Sequence, residues 1–588
     1  MPKNVMKMLK PSPNYGRNDF DLSHRHVHSA NFGELIPTFC VETLPKDKIK
    51  IRVSDLVRAQ PMVTSPFLRA KQHVDVWFVP YQLMWSRFNE FIADKDEPNS
   101  SALHDRLFVP HAKLSAFGNS LYSDWYSNPF VATVHGDNGP SFAGPIVGRN
   151  LELMGYPGNL IIDEEISGDK HYPDVAVNLW RLAAYNLIWY REYRQQYYDD
   201  GKLNLPSSIA NLSNGASYLF NFDWLLCDTA ANADLGTIAP DLLTAMMTPR
   251  YRCWKKDIYT GLLPDTQFGN VSVVDSIANN PVVLANTKSG GADAGIVSGN
   301  TLIMRDSSNN IIAGSNYWNL NNNSGSSLNS KFDILALRKS EAIQKWRENA
   351  LRAGNEILDN FEAHYGVKPA SHMDVHPKHV ASFDAPLNVG DINAQAQTGE
   401  SVNGVLGDVA GKGIMSFGGN EEFTFETNDF GVLMGIYSIL PEAEYNGNNL
   451  DRLNCLLERE DYFFPEYENL GLEAVDFMNI SCEGYQNPGI LGYAPRYYGY
   501  KQKHDRCVGE FMQYQGYNGK FRHWCSPKYD VDLNIANGTL ALSTLYVNPS
   551  IFDVNFSLNW LQVNQFLVDM YVECEAIRQM SVSGMPAY

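Results

Sequence analysis

The chain has 588 residues, 44% hydrophobic, 12% aromatic and 19% charged, with 66 acidic against 47 basic side chains and a formal net charge of −19. That aromatic content excludes a disordered chain, because self-repelling, low-hydrophobicity sequences carry too little apolar area to offset the entropy of ordering. The longest apolar run, 431–440, is about half of the roughly 20 residues a spanning helix needs, so no membrane insertion is expected.

In chain order, the start is basic: Lys3, Lys7, Lys10 and Arg17 carry the first 18 residues without an acid. No apolar stretch of secretory length follows, so nothing marks the chain for export and a cytoplasm is the expected place of synthesis. The eight cysteines contain no C-x-x-C pair and are far too sparse for a disulfide scaffold, which reads as reduced thiols. His24, His26 and His28 have ligand-like spacing, as do His372, His376 and His379. The first set lacks a fourth ligand, and Pro377 breaks any helix that would align the second, so no metal site is expected.

Strand-like alternation occurs at 73–80 (HVDVWFVP), 422–426, 544–547 and 566–572, each bounded by Pro, Asn or Gly. Apolar residues near a 3.6 period predict a helix over 177–198 and another over 340–365, the latter with Ser340 as N-cap and Gly366 as its stop. Length alone suggests several domains, yet only one long stretch has a linker's composition. In residues 269–330, 31 of 62 are Asn, Ser or Gly and only five are charged. Short β-favouring runs at 281–284, 301–304 and 310–312 interrupt it, so it reads as hairpins on a surface insertion rather than a flexible tether. Gly404, Gly407, Gly411 and Gly413 surround Lys412 but miss the phosphate-loop spacing, and read as a turn-rich loop. No G-x-S-x-G elbow is present. Carboxylate pairs such as Glu421/Glu422 and Asp461/Glu466 occur by chance in an acidic chain of this length. No catalytic residue and no cofactor is predicted.

Charge distribution says more than the total. Arg250, Arg252, Lys255 and Lys256 surround Tyr251 and Trp254, and 496–528 holds seven basic residues, among them Arg496, Lys501, Lys503 and Arg506. Tyr497, Tyr498, Tyr500, Tyr514, Tyr517 and Trp524 lie between them. Cations track phosphates while aromatic faces stack on unpaired bases, so this interleaving suits single-stranded nucleic acid. The same pattern also arises from core aromatics beside solvated or acid-paired cations, and the overall acidity opposes general nucleic-acid affinity.

Collinear blocks run through the chain: 18–23 (NDFDLS), 42–47 (ETLPKD), 74–80 (VDVWFVP), 84–91 (MWSRFNEF), 181–189 (RLAAYNLIW) with Tyr193 and Arg194, and 256–264 (KDIYTGLLP). Further blocks are 337–339 with 343–344 and 364–367, then 492–493 with 496–497, and the stretch 566–586. Together they resemble the major capsid protein of microviruses, single-stranded DNA bacteriophages, closest to the gokushovirus-like branch. Departures include Lys46, which stands where the family usually has glycine, and the stretches 352–356 and 372–379.

The resemblance implies a mainly β fold, an eight-stranded antiparallel jelly roll with long inserted loops and a few helices. It implies sixty copies assembling with T=1 icosahedral symmetry around a circular single-stranded DNA genome, with scaffolding and DNA pilot proteins of the phage and a host surface receptor as further partners. Residues 1–30 are expected to form a basic interior arm, 31–588 a single capsid domain, and 269–330 a protrusion at the threefold axis used in host attachment. Virion localisation and assembly in the bacterial cytoplasm follow. The rival class is a carbohydrate-binding or carbohydrate-active β-sandwich protein, which would also be acidic, aromatic-rich and turn-rich.

Overall fold

The computed structural model describes residues 16–85, 87–92, 109–114, 144–157, 175–198, 243, 246–247, 249–267, 296–298, 301–303, 318–319, 334–353, 357–367, 376–393, 409–417, 422–480, 482, 489–514, 517–525, 533–534, 539–540, 545–560 and 563–582. The chain divides into two compact units, Met1–Asp265 with Ala370–Tyr588, and Thr266–Pro369.

The first unit is built on two antiparallel sheets. Their strands are β1 (Asn18–Asp21), β2 (His24–Ala30), β3 (Glu34–Thr43), β4 (Asp47–Ala59), β5 (Ala70–Pro80) and β6 (Arg250–Tyr251). After the second unit come β7 (Lys378–Pro386), β8 (Asn388–Asn393), β9 (Val409–Phe417), β10 (Phe423–Thr427), β11 (Gly431–Pro441) and β12 (Phe566–Arg578). One sheet runs β1-β12-β4-β9-β8, with β2 also paired to β12 and β10 to β4; the other runs β7-β5-β11-β3-β6.

Alternation sets which face each strand buries. On β4, Ile49, Ile51, Val53 and Val57 are buried while Lys48, Lys50 and Arg52 point out. On β12, Phe566, Val568, Met570, Val572, Cys574 and Ala576 are buried between outward Leu567, Asp569, Tyr571, Glu573 and Glu575. These inner residues join Phe39, Val41, Val74, Val76, Phe78, Leu433, Tyr437 and Ile439 of the other sheet in one hydrophobic core. Each such side chain contributes about 1.5–3 kcal/mol relative to exposure.

The apolar run 431–440 is a strand, buried along its whole length. Its odd-numbered side chains Leu433, Tyr437 and Ile439 face the shared core. Val432, Met434 and Ile436 face a second cluster with Trp77, Val79 and the helix Trp180–Ile188. Covered on both sides, β11 has no polar face to alternate with.

The helix expected over 177–198 is shorter: a strand Ala176–Asn178, the helix Trp180–Ile188 and a π-helical turn Trp189–Tyr193 share that segment. Eight of the nine helical residues are buried, so its sequence lacks the polar stripe that marks helix ends. Of the run 544–547, residue 544 lies outside the described residues and 545–547 form no strand; Tyr546 makes an isolated bridge with Cys253. Nor do Gly411 and Gly413 lie in a loop: both are within β9, where a Cβ on Gly411 would collide with the backbone of Thr64 and Ser65.

In the second unit, short strands Ile296–Ser298, Thr301–Ile303 and Trp318–Asn319 form a three-stranded antiparallel sheet, the hairpin character expected of the insertion. Runs 281–284 and 310–312 lie outside the described residues. The helix expected over 340–365 is two helices, Ile334–Ala353 and Ile357–Tyr365. Ser340 is therefore inside the first helix rather than its cap. Gly366 does stop the second, at φ 68° with its amide donating to the Glu362 carbonyl at 2.8 Å.

Candidate nucleic-acid interface

The basic segment 496–506 is presented by a local framework. Strand Leu472–Asp476 pairs with Ile490–Pro495, and the chain then turns through Tyr497, at φ 62°, into the short helix Tyr498–Lys501. Glu473 holds that turn by accepting from the Tyr497 amide at 2.9 Å while pairing with Arg452 at 2.6 Å. Tyr498 is buried and donates to Asn479 at 3.2 Å. Tyr500 is 51% exposed, next to Lys501 and Lys503.

These two lysines are held only at the surface. Lys501 lies 3.5 Å from Glu468 and Lys503 2.9 Å from Asp451, with side chains 46% and 63% exposed. The Leu453 amide, more than Lys503, keeps the Asp451 carboxyl below its ordinary range. Exposed pairs of this kind contribute about 0–1 kcal/mol, so a phosphate can take the acid's place at small cost. Arg506 is exposed and donates to the Gly447 carbonyl at 3.2 Å. Arg496 lies over the Tyr497 ring at 5.4 Å.

Arg250 and Arg252 are committed inside the protomer instead. The Arg250 guanidinium stacks 4.3 Å from the Trp189 ring and donates to Asn186 at 3.1 Å. Arg252 pairs with Asp75 at 3.4 Å and donates to Ser438 at 2.9 Å. Both arginines are half-buried, and moving either outward would strand a buried acceptor. Lys255 is 69% exposed and 3.7 Å from Glu442; Lys256 is exposed. Arg17 is exposed just before β1, and Lys3, Lys7 and Lys10 lie outside the described residues. Residues 18–30, expected in a basic arm, pair with β12 as β1 and β2.

A basic row that sequence reading missed runs along the outer face of β4. Lys48 pairs with Glu426 at 2.9 Å, Lys50 with Glu575 at 3.7 Å and Arg52 with Glu573 at 3.3 Å. The alternation K-I-K-I-R at 48–52 announces this face. Acids from neighbouring strands balance it, so it is a ladder of cross-strand pairs rather than a phosphate track.

Among the described residues, the group with metal-ligand spacing includes none of these histidines. The His24 and His26 rings meet edge-on at 4.5 Å, and burial holds His26 down at about 4 and His28 at about 3, favouring neutral rings. His376 lies 3.4 Å from Glu192 and His379 packs on the Trp77 ring, while His372 lies outside the described residues. Glu422 lies against Lys50 and Arg52, and Asp461 accepts amides of Leu457 and Glu458 as a helix cap. A three-ligand group does occur elsewhere, at Glu444, Cys507 and Cys525. No described helix is long and apolar enough to cross a membrane.

Comparison with known proteins accounts for nearly the whole chain. The family described as Capsid protein (F protein) matches residues 10–138 and 161–588. Capsid protein VP1 of Chlamydia phage 1 is 22% identical over 637 aligned positions, covering 98% of this chain and 96% of the relative. Capsid protein VP1 of Bdellovibrio phage phiMH2K is 22% identical over 510 positions, covering 85% of this chain and 83% of the relative. The microvirus resemblance carried by the sequence blocks is borne out.

Proposed function

This chain belongs to the capsid protein (F protein) family, and on that footing we propose that it is the shell-forming subunit of a T=1 icosahedral virion of sixty copies enclosing circular single-stranded DNA. The observation that carries this reading is the family match, which spans both sheets and the inserted unit alike. Its role is assembly rather than catalysis, and its place is the virion.

Supporting an eight-stranded jelly roll at the centre are two antiparallel sheets that share a core and whose neighbours are distant in sequence: β12 lies between β1 and β4, and β11 between β3 and β5. Residues 269–330 serve as the threefold protrusion and host-attachment element. Lys3, Lys7, Lys10 and Arg17, with Lys255, Lys256, Arg496, Lys501, Lys503 and Arg506, neutralise genome phosphates without reading sequence. Scaffolding and DNA pilot proteins of the phage and a host receptor are its further partners, and the host cytoplasm is where it assembles. Against the carbohydrate-active alternative, two of its candidate acids, Glu422 and Asp461, serve ion pairing and capping.

Electron-microscopic reconstruction of particles made by co-expressing the chain with the phage's other structural proteins tests this. Closed shells with sixty copies, nuclease-protected DNA and 269–330 outside are expected. Open sheets, empty tubes or an inward-facing 269–330 would overturn the corresponding part.

A further inference from the structure

Three side chains far apart in sequence meet in the first unit. Ligand atoms of Glu444, Cys507 and Cys525 all lie within 4.8 Å of one another, and the Cys507 thiol donates to the Glu444 carboxylate at 3.2 Å. Cys507 is buried, Cys525 half-buried, and the Glu444 side chain 12% exposed. A tetrahedral zinc site, with bonds of about 2.3 Å to sulfur and 2.0–2.2 Å to oxygen, sets its ligand atoms roughly 3.5–3.8 Å apart. The observed separations, 3.2 Å between Cys507 and Glu444 and no more than 4.8 Å for any pair, bracket that spacing.

The backbone around each ligand is fixed. Parallel pairing sets Tyr445 opposite Arg506 and Asn446 opposite Cys507, and the Gly447 amide donates to the Cys507 carbonyl at 2.7 Å. Buried Asn555 donates to the Cys525 carbonyl at 2.9 Å. Outside the cluster, Arg69 lies 3.6 Å from Glu444 and 2.6 Å from Asp505, an orienting partner of the kind that supports metal-bound carboxylates. Two thiols and a hard carboxylate together select a borderline-soft divalent ion.

We propose that Glu444, Cys507 and Cys525 bind one zinc-class divalent cation, with water in the fourth position, clipping the segments around 444, 507 and 525 together. A disulfide between the two cysteines is the competing chemistry, but it would remove the thiol proton that Glu444 accepts and leave a shielded carboxylate without that donor.

The full-length chain, stripped with chelator, should take up Co2+ to one equivalent, with thiolate-to-cobalt charge-transfer bands that Zn2+ abolishes. Cys507→Ser and Cys525→Ser should lose those bands, exposed Cys482→Ser should keep them, and Glu444→Gln, close in shape, should weaken Co2+ about tenfold or more. Failure of folded wild type to take up Co2+ would overturn the proposal. So would an intact mass two hydrogens light with a peptide joining Cys507 to Cys525.

Discussion

The amide of Lys46, at a left-handed φ of 69°, donates to the carbonyl of Thr427 at 2.8 Å, locking the turn between β3 and β4 onto the end of β10. Asp47 completes the turn by accepting from the Leu44 amide at 2.9 Å. A side chain at that φ costs on the order of 1 kcal/mol, and a glycine there would avoid it. Lys46→Gly should therefore raise the unfolding free energy by about 0.5–1 kcal/mol in denaturant titration, with an unchanged m value. A loss of stability would show that the Lys46 side chain makes a contact that matters more than its backbone.

Glu34 is fully buried and paired with Arg149, and it also accepts the Asn31 amide at 3.2 Å. Burial raises the Glu34 carboxyl above its usual range even though Arg149 opposes the shift. Arg149→Met leaves an uncompensated charge and should cost roughly 3–5 kcal/mol at neutral pH. The folded variant then holds the Glu34 proton more tightly than the unfolded chain, so its stability should recover as pH falls toward 5. Thermal melts at pH 7.5 and pH 5 that show an equal deficit would contradict this.

His26 and His28, on the strand that pairs with β12, are held neutral by burial, at about 4 and about 3. The unfolded chain protonates them near 6.5, so their penalty is absent above that value and grows as pH falls through the window down to 4 and then 3. Hydrogen exchange should show the β2–β12 amides losing protection as pH falls from 6.5 to 4. In His28→Met, where Arg149 and Tyr437 face an uncharged side chain, about half of that loss should vanish, His26 supplying the rest.

Gly435 of β11 faces Phe39 of β3, and a Cβ there would overlap the ring. Gly435→Ala should destabilise by about 1–3 kcal/mol through overpacking. Adding Phe39→Leu should restore part of the loss, a coupling that a double-mutant cycle would detect; strict additivity would mean that the clash is absorbed elsewhere.

Replacing Lys501, Lys503 and Arg506 with alanine should flatten the salt dependence of single-stranded DNA binding, lowering the slope of log K against log salt by about 2, at roughly 0.7 per phosphate contact. Arg252→Ala, which removes a cationic partner of buried Asp75, should instead lower stability. An unchanged slope in the triple variant would remove segment 496–506 from the DNA-facing set.

Much of the sheet framework is legible before any coordinates, because strands with one wet face announce themselves. Residues 73–80 and 566–572 fall inside β5 and β12, and β10 is the run 422–426 displaced by one residue. The failures share a cause. Burial on all sides removes the polar punctuation from β11 and from Trp180–Ile188, so the first shows only as a short apolar run and the second has misplaced ends. Arg250 and Arg252 carry the same local pattern as Lys501 and Lys503. Whether a cation beside an aromatic faces solvent or a buried acid depends on strands far away, here Asp75 on β5 and Ser438 on β11. Glu444, Cys507 and Cys525 left no trace, since spacings of 63 and 18 residues match no ligand motif.

β12 lies between β1 and β4, so the pairs Asn18–Arg578 and Lys50–Glu575 join positions more than 500 residues apart. While a ribosome is still producing the intervening chain, β4 has an open edge and β1 and β2 have no strand to pair with. Closing such remote contacts is slow, and an open edge invites intermolecular pairing meanwhile. The central sheet is thus completed only after translation has passed residue 566. Growing chains lack that surface until then, which ties the timing of shell growth to the supply of finished subunits.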